Sequence, residues 1–277
     1  MRTDHRPQKG KEHMTAKRIS KLFDLTGKVV VTGAAGGLGS AISRGLECVG
    51  AKVVAADIRD PQTSLGNQII FRRTDVSAKE EVDALVEETC QRFGRIDIMV
   101  PNAAIGGGAA AENETLEGWN KVMAVNATGN FLCAMAAARK MIPQGGGVII
   151  NLASVLSFIA SPTCVSYTAS KGAILQLTRT LATEWAKYRV RLNAIAPGFF
   201  RTPLNQAFLD SEDYMKPIVA KIPLERIGEP DEIVGTVIYL ASDASSFMTG
   251  SVLIVDGGEM AAGGYTDGVF PFIYKLV

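Results

Sequence analysis

Histidine is almost missing from this chain. Of 277 residues only His5 and His13 are histidine, and both fall in a polar leader. A Ser-His-Asp triad or a histidine-bound metal in the folded body is therefore excluded. Cysteine is sparse as well: Cys48, Cys90, Cys133 and Cys164 stand far apart, with no C-x-x-C pair and no zinc spacing. Separated thiols suit a reducing cytoplasm. No apolar run reaches the ~18 residues of a membrane span, and the N-terminus has no apolar signal core. Net charge is +1, with no basic surplus in the body to suit nucleic acid and no acidic one. The expectation is a cytoplasmic protein without a metal, a membrane or a nucleic-acid partner.

With 47% hydrophobic and 21% charged residues, the chain can bury a sizeable core. Residues 1–21 carry seven Lys/Arg against Asp4 and Glu12, without apolar periodicity. A disordered leader is expected there. A transit peptide is the rival, weakened by the two acids and the missing apolar face, and Met14 offers an alternative start. Beyond residue 22, short apolar runs alternate with helical patterns. Strands are expected at Lys28–Thr32, Val53–Ala56, Ile69–Phe71, Ile96–Val100, residues 148–153, Val190–Ile195 and Ser251–Val255. Helices are expected after Gly39 and at about 78–93, 115–141, 165–187 and 231–241. Residues 199–228, with Pro203, Pro217 and Pro223, break the rhythm and read as irregular. No linker divides 22–277. One α/β domain follows, a doubly wound parallel sheet (Rossmann fold) with helices on both faces.

Three features carry chemistry. Gly33, Gly36, Gly37 and Gly39 lie between the first strand and its helix, where backbone N–H groups and the helix dipole can hold a pyrophosphate. Asp57 ends the second strand, where a carboxylate can accept from both adenosine ribose hydroxyls and repel a 2′-phosphate. NAD is therefore favoured over NADP, with Arg59 nearby as a possible seat for that phosphate. Tyr167 and Lys171 are four residues apart, one helical turn, so their heads share a face. An ammonium there is expected to pull the phenol down from its usual ~10 towards the range of a general acid/base. Ser154 follows the run Val148–Ala153 and faces the crevice at the strands' carboxyl ends.

Thr32-Gly33-x-x-x-Gly37-x-Gly39, Asn102-Ala103-Ala104, Asn126, Ser154, Tyr167-x-x-x-Lys171, Pro197-Gly198 and Asp256-Gly257-Gly258 occur in the order of the short-chain dehydrogenase/reductase family, which the chain resembles from about Leu25 to Gly258. The resemblance implies Tyr167 as the catalytic acid/base, Ser154 on the substrate oxygen, and Lys171 on the nicotinamide ribose. It implies Asn126 holding a water of a proton relay that begins at Lys171. Gly33, Gly37, Leu38, Gly39, Asp57 and Ile58 would meet the adenosine and phosphates, Asp75 and Val76 the adenine, with Asn102 and Ala103 beside it. Pro197, Gly198, Phe200 and Thr202 would grip the carboxamide. Pro101 departs from the family pattern and, lacking an N–H, should shorten its strand's ladder.

Residues 199–228 resemble the family's substrate lid, with apolar walls from Phe199, Phe200, Phe208 and Leu209. The tail 259–277 runs past the usual end and, with four aromatics, is expected to pack. A homotetramer or homodimer is implied, through the helices at about 115–141 and 165–187 and the last strand. The substrate implied is a small secondary alcohol or ketone, closest to sugar acids and polyols of the gluconate 5-dehydrogenase kind. A 3-oxoacyl-thioester reductase is the enzymatic alternative, and a non-catalytic NAD-sensing protein on the same fold is the alternative of another class.

Overall fold

The apolar runs become strands of a single sheet. The structure, a computed structural model, describes residues 15–34, 36–61 and 65–263. Strands β1 (Lys28–Thr32), β2 (Lys52–Asp57), β3 (Ile70–Arg73), β4 (Ile98–Val100), β5 (Gly147–Leu152), β6 (Val190–Pro197) and β7 (Val252–Val255) lie in the order β3-β2-β1-β4-β5-β6-β7. Every neighbouring pair is parallel. Parallel neighbours need crossovers, and the helices that make them cover both faces.

Helix α1 spans Ala16–Leu22, α2 Gly37–Cys48 and α3 Lys79–Phe93. Helices α4 (Leu116–Met123) and α5 (Gly129–Met141) are joined by a π turn over Ala124–Thr128. Then come α6 (Val165–Trp185), the short α7 (Gln206–Leu209) and α8 (Glu212–Val219), α9 (Val234–Ala241) and α10 (Glu259–Ala262).

Successive residues of a strand point to opposite faces, and the core divides accordingly. Val54, Ala56, Met99 and Ile149 pack with Leu85 of α3, Ala137 of α5 and Leu181 of α6. Their neighbours Val53, Ala55, Ile98 and Ile150 pack with Ile42 and Leu46 of α2 and with Val237 and Leu240 of α9. Both faces are buried, which is why the strands read as unbroken apolar runs rather than alternating ones. Chain order reverses at β1, whose neighbours are β2 and β4. The crevice beyond the carboxyl ends of β1 and β4 is the switch point where such sheets bind ligands.

Four local expectations change. Residues 16–21, expected without structure, form most of α1, where the Thr15 side chain caps the Arg18 N–H; residues 1–14 lie outside the described part. The long helix at 115–141 carries the π turn. The segment 199–228, expected to be irregular, holds α7 and α8. Pro203 opens a 3-10 turn, where a missing N–H costs little. The helix anticipated at 231–241 begins as a 3-10 turn, Pro230–Ile233. Strand β4 stops at Val100, one residue before Pro101, and pairs with β5 at two positions only.

Candidate active site

The glycine loop is tightly built. Gly33 has φ +69°, and a Cβ there would lie 2.7 Å from the Ala103 Cα. Its carbonyl accepts a 2.9 Å hydrogen bond from Asn102 Nδ2. A Cβ on Gly39 would sit 2.1 Å from that same carbonyl oxygen. Only glycine lets the loop, the start of α2 and the end of β4 approach this closely. Leu38 packs on the core beneath. Thr202 and Pro203 lie over the loop, so that a Cβ on Gly37 would be 3.3 Å from Thr202 Cβ. A cradle of backbone closed to side chains, at the N-terminus of a twelve-residue helix, fits a dinucleotide pyrophosphate.

Asp57 is buried at the end of β2 and accepts from the Arg59 N–H at 3.1 Å, while Ile58 beside it is exposed. Asp75 Oδ1 accepts from both the N–H and the hydroxyl of Ser77, at 2.9 and 2.6 Å. Val76 is buried and stands where a Cβ on Gly129 would meet it at 2.8 Å. Pro197 closes β6, and the Gly198 N–H donates to the Val255 carbonyl at 2.9 Å. Phe200 departs from the expected apolar wall: its ring is in the core, where a Cβ on Gly228 would come within 2.7 Å of it. Phe199 and Leu209 are half-buried, and the Phe208 side chain lies outside the described residues.

Tyr167 stands in the first turn of α6, and its phenol is hydrogen-bonded to the Ser154 side chain. The Lys171 ammonium is 5.6 Å from the centre of the Tyr167 ring and donates to the Leu152 carbonyl at 2.7 Å. Asn126 is buried in the π turn. Its Oδ1 accepts from Ile105 N, and its Nδ2 donates to the Ile105 carbonyl and, at 3.1 Å, to Ser170 Oγ. Ser170 in turn donates to the Tyr167 carbonyl at 2.7 Å. The fold thus brings Ser154, Tyr167 and Lys171 directly together and reaches Asn126 through Ser170.

One positioning side chain and one backbone turn escape the sequence pattern. The Ser157 hydroxyl donates to the Lys171 carbonyl at 2.7 Å and accepts from the Ser154 N–H at 3.3 Å, tying the end of β5 to α6. Its signal was the Ser154-x-x-Ser157 spacing of a capping box. The π turn left no such signal, although one-turn π segments are common at functional sites.

The electrostatics also differ from expectation. Burial pushes the Tyr167 phenol up to about 12, with the Ser154 hydrogen bond acting in the other direction. Burial pushes Lys171 down to about 8. Desolvation outweighs the attraction between ammonium and phenolate that the spacing alone suggests. A stability consequence follows. The folded protein releases the Lys171 proton near pH 8, whereas the unfolded chain holds it to about 10.5. Between those values the unfolded state binds more protons, so stability rises with pH, by roughly 3 kcal/mol at ~1.4 kcal/mol per pH unit. Denaturant titrations from pH 8 to 10.5 should show this rise in the parent chain and not in Lys171→Met.

A parallel sheet of this order, with a phenol, an ammonium and a hydroxyl grouped at its crevice beside a glycine cradle, is the build of a nicotinamide-dependent oxidoreductase. Residues 33–259 match a family model described as Enoyl-(Acyl carrier protein) reductase. The 5-keto-D-gluconate 5-reductase of Escherichia coli (strain K12) is 35% identical over 88% of this chain and 100% of its own. The NAD-dependent glycerol dehydrogenase of Listeria innocua is 40% identical over 88% of this chain and 98% of its own. The crystal structure of a gluconate 5-dehydrogenase from Burkholderia cenocepacia, in complex with NADP and tartrate, superposes with a TM-score of 0.84 at 36% identity, covering 88% and 99% of the two chains. The chain belongs to the short-chain dehydrogenase/reductase family, NAD(P)-binding oxidoreductases that act on CH–OH groups. No helix among the described residues is long and apolar enough to cross a membrane.

Proposed function

We propose that this protein uses NAD to interconvert a small secondary alcohol and its ketone, of the polyol and sugar-acid kind. The observation that carries the reading is the Tyr167 phenol bonded to Ser154, with the Lys171 ammonium over its ring. Tyr167 takes the alcohol proton in oxidation and returns it in reduction. Ser154 donates to the substrate oxygen as it gains alkoxide character. The nicotinamide ring, when bound, accepts or supplies the hydride. Lys171 meets the nicotinamide ribose and favours the phenolate. Asn126, set by Ile105 and Ser170, holds a water through which Lys171 exchanges protons with solvent.

Gly33, Gly37, Leu38 and Gly39 bind the phosphates, Asp57 and Ile58 the adenosine ribose, and Asp75, Val76, Asn102 and Ala103 the adenine side. Pro197, Gly198, Phe200 and Thr202 hold the carboxamide, Phe200 through its backbone. The preference for NAD rests on the buried Asp57 carboxylate at the end of β2. The segment 199–228 serves as the lid. Assembly as a homotetramer or homodimer, in the cytoplasm, belongs to the same reading.

The Escherichia coli and Listeria innocua relatives are named for a gluconate derivative and for glycerol, which does not favour an acyl-thioester reductase. A non-catalytic sensor has no need of the full set Ser154, Tyr167, Lys171 and Asn126. The test is a dehydrogenase screen with NAD and NADP in parallel on polyols, sugar acids and acetoacetyl thioesters. NAD-linked turnover confined to the first two groups is expected; turnover of the thioester alone would reverse the assignment.

A further inference from the structure

An anionic substrate needs a partner for its carboxylate, ordinarily an arginine or lysine. The segments 105–114 and 155–165 frame Tyr167. They are joined where Ala109 N donates to the Thr163 carbonyl at 3.0 Å and where Ala109 and Cys164 form a bridge. The first also runs against α6, since a Cβ on Gly107 would be 2.4 Å from the hydroxyl of Ser166, the residue before Tyr167. Neither segment contains a lysine or arginine. Their charges are Glu112 and Glu114, and Glu114 Oε2 accepts from the Ser166 hydroxyl at 2.9 Å.

The cations of the neighbouring elements are mostly engaged. Lys171 is buried on the Leu152 carbonyl. Within the lid, Arg201 is held by Glu229 at 3.0 Å and Arg226 by both oxygens of Glu232 at 2.7 Å, while Lys216 and Lys221 are exposed on and just after α8. What the mouth presents instead is apolar. Phe158 (40% exposed), Ile159 (39%), Val165 (38%) and Leu204 (50%) lie on the segments that leave Ser154, enter α6 and open the lid. Leu204 reaches the first segment, 3.7 Å from where a Cβ on Gly106 would be. Exposed apolar residues on the segments that flank a polar reacting centre suit the apolar part of a ligand.

We infer that the substrate is an uncharged secondary alcohol or ketone with an apolar flank, and that an acid borne on the same skeleton is disfavoured by the two framing segments, which carry Glu112 and Glu114 and no lysine or arginine. The inference rests on the oxidoreductase reading above and narrows it to the neutral side of its substrate range.

The test is steady-state kinetics with NAD on matched pairs: a cyclic hydroxy-carboxylate against its primary amide, and an aldonate against the corresponding polyol. The uncharged member of each pair should have the higher kcat/KM by about tenfold or more, and added salt should raise the rate on the carboxylates alone. Gly108 has open space where its Cβ would go, so Gly108→Arg should fold normally and place a cation in the mouth. That variant should raise the ratio of kcat/KM on the carboxylates to that on the amides by about tenfold. Equal or better turnover of the carboxylates by the parent enzyme overturns the inference while leaving the oxidoreductase reading intact. A carboxylate preference abolished by Lys216→Ala, the exposed lysine of α8, overturns it in the same way. Retained NAD binding with no turnover of any alcohol or ketone sinks the oxidoreductase reading itself, and the inference with it.

Discussion

Tyr167→Phe should lower kcat by about a thousandfold while leaving dinucleotide affinity within a factor of about two. The variant keeps the ring, and with it the place of α6 against the end of β5 and the aromatic face that lies 5.6 Å from the Lys171 ammonium. Only the hydroxyl is lost, together with its hydrogen bond to Ser154. Proton transfer by a positioned side chain contributes roughly 10²–10⁴-fold to a rate, and the expected loss of about a thousandfold is the middle of that range. Binding depends on the glycine cradle, Asp57 and Lys171, none of which the substitution touches. Stopped-flow or steady-state assays give the rate, and fluorescence titration of the reduced dinucleotide gives the affinity. Turnover within tenfold of the parent would remove Tyr167 as acid/base. A protein that only senses the dinucleotide would keep its output in this variant.

How far the sequence reveals this arrangement varies from residue to residue. The sheet is legible because parallel strands buried on both faces cannot alternate apolar with polar residues. Val53–Val54–Ala55–Ala56 and Val148–Ile149–Ile150 are therefore continuous apolar runs, and their side chains part to opposite cores. Gly33 and Gly39 are legible because backbone contacts nearer than a side chain permits leave one amino acid to choose. Tyr167 and Lys171 are legible as a pair because one helical turn fixes their relation.

Solvation is not legible. The spacing implied an ammonium that lowers the phenol, but both groups are buried, and desolvation moves each towards its neutral form. Side-chain direction is equally hidden. Phe200 follows Pro197-Gly198 in the position of a pocket wall, but its ring lies in the core, where the absence of a Cβ on Gly228 leaves it room. The hydroxyl of Ser157 looks like any turn serine until α6 is packed against it and supplies the Lys171 carbonyl.

Asp57→Ala should change the ratio of kcat/KM for NAD to that for NADP by about 10²–10³-fold, mostly through KM. The carboxylate is buried at the end of β2, and the Arg59 N–H already points to it at 3.1 Å. If it accepts from two ribose hydroxyls, its loss removes two charge-assisted hydrogen bonds of roughly 1.5–3 kcal/mol each in gross terms. Water returning to the site recovers part of that, and NAD affinity should fall by about ten- to a hundredfold.

The same change acts on NADP with the opposite sign. The negative charge that would face a 2′-phosphate disappears, while two exposed guanidiniums remain nearby. Arg59 lies two residues on from Asp57, and Arg73 is its register partner on β3, with Nε donating to the Ile58 carbonyl at 3.0 Å. Arginine pairs with phosphate through a planar fork, so removing the acid leaves a cationic seat where an acidic one stood. The gain on NADP should weaken as salt is added, since exposed charges are screened within about 10 Å at 0.1 M. The loss on NAD, which comes from a buried carboxylate, should depend on salt far less. A ratio that moves by less than about threefold would mean that Asp57 does not choose the cofactor. A loss on both dinucleotides alike would assign the carboxylate to holding the end of β2 rather than to reading the ribose.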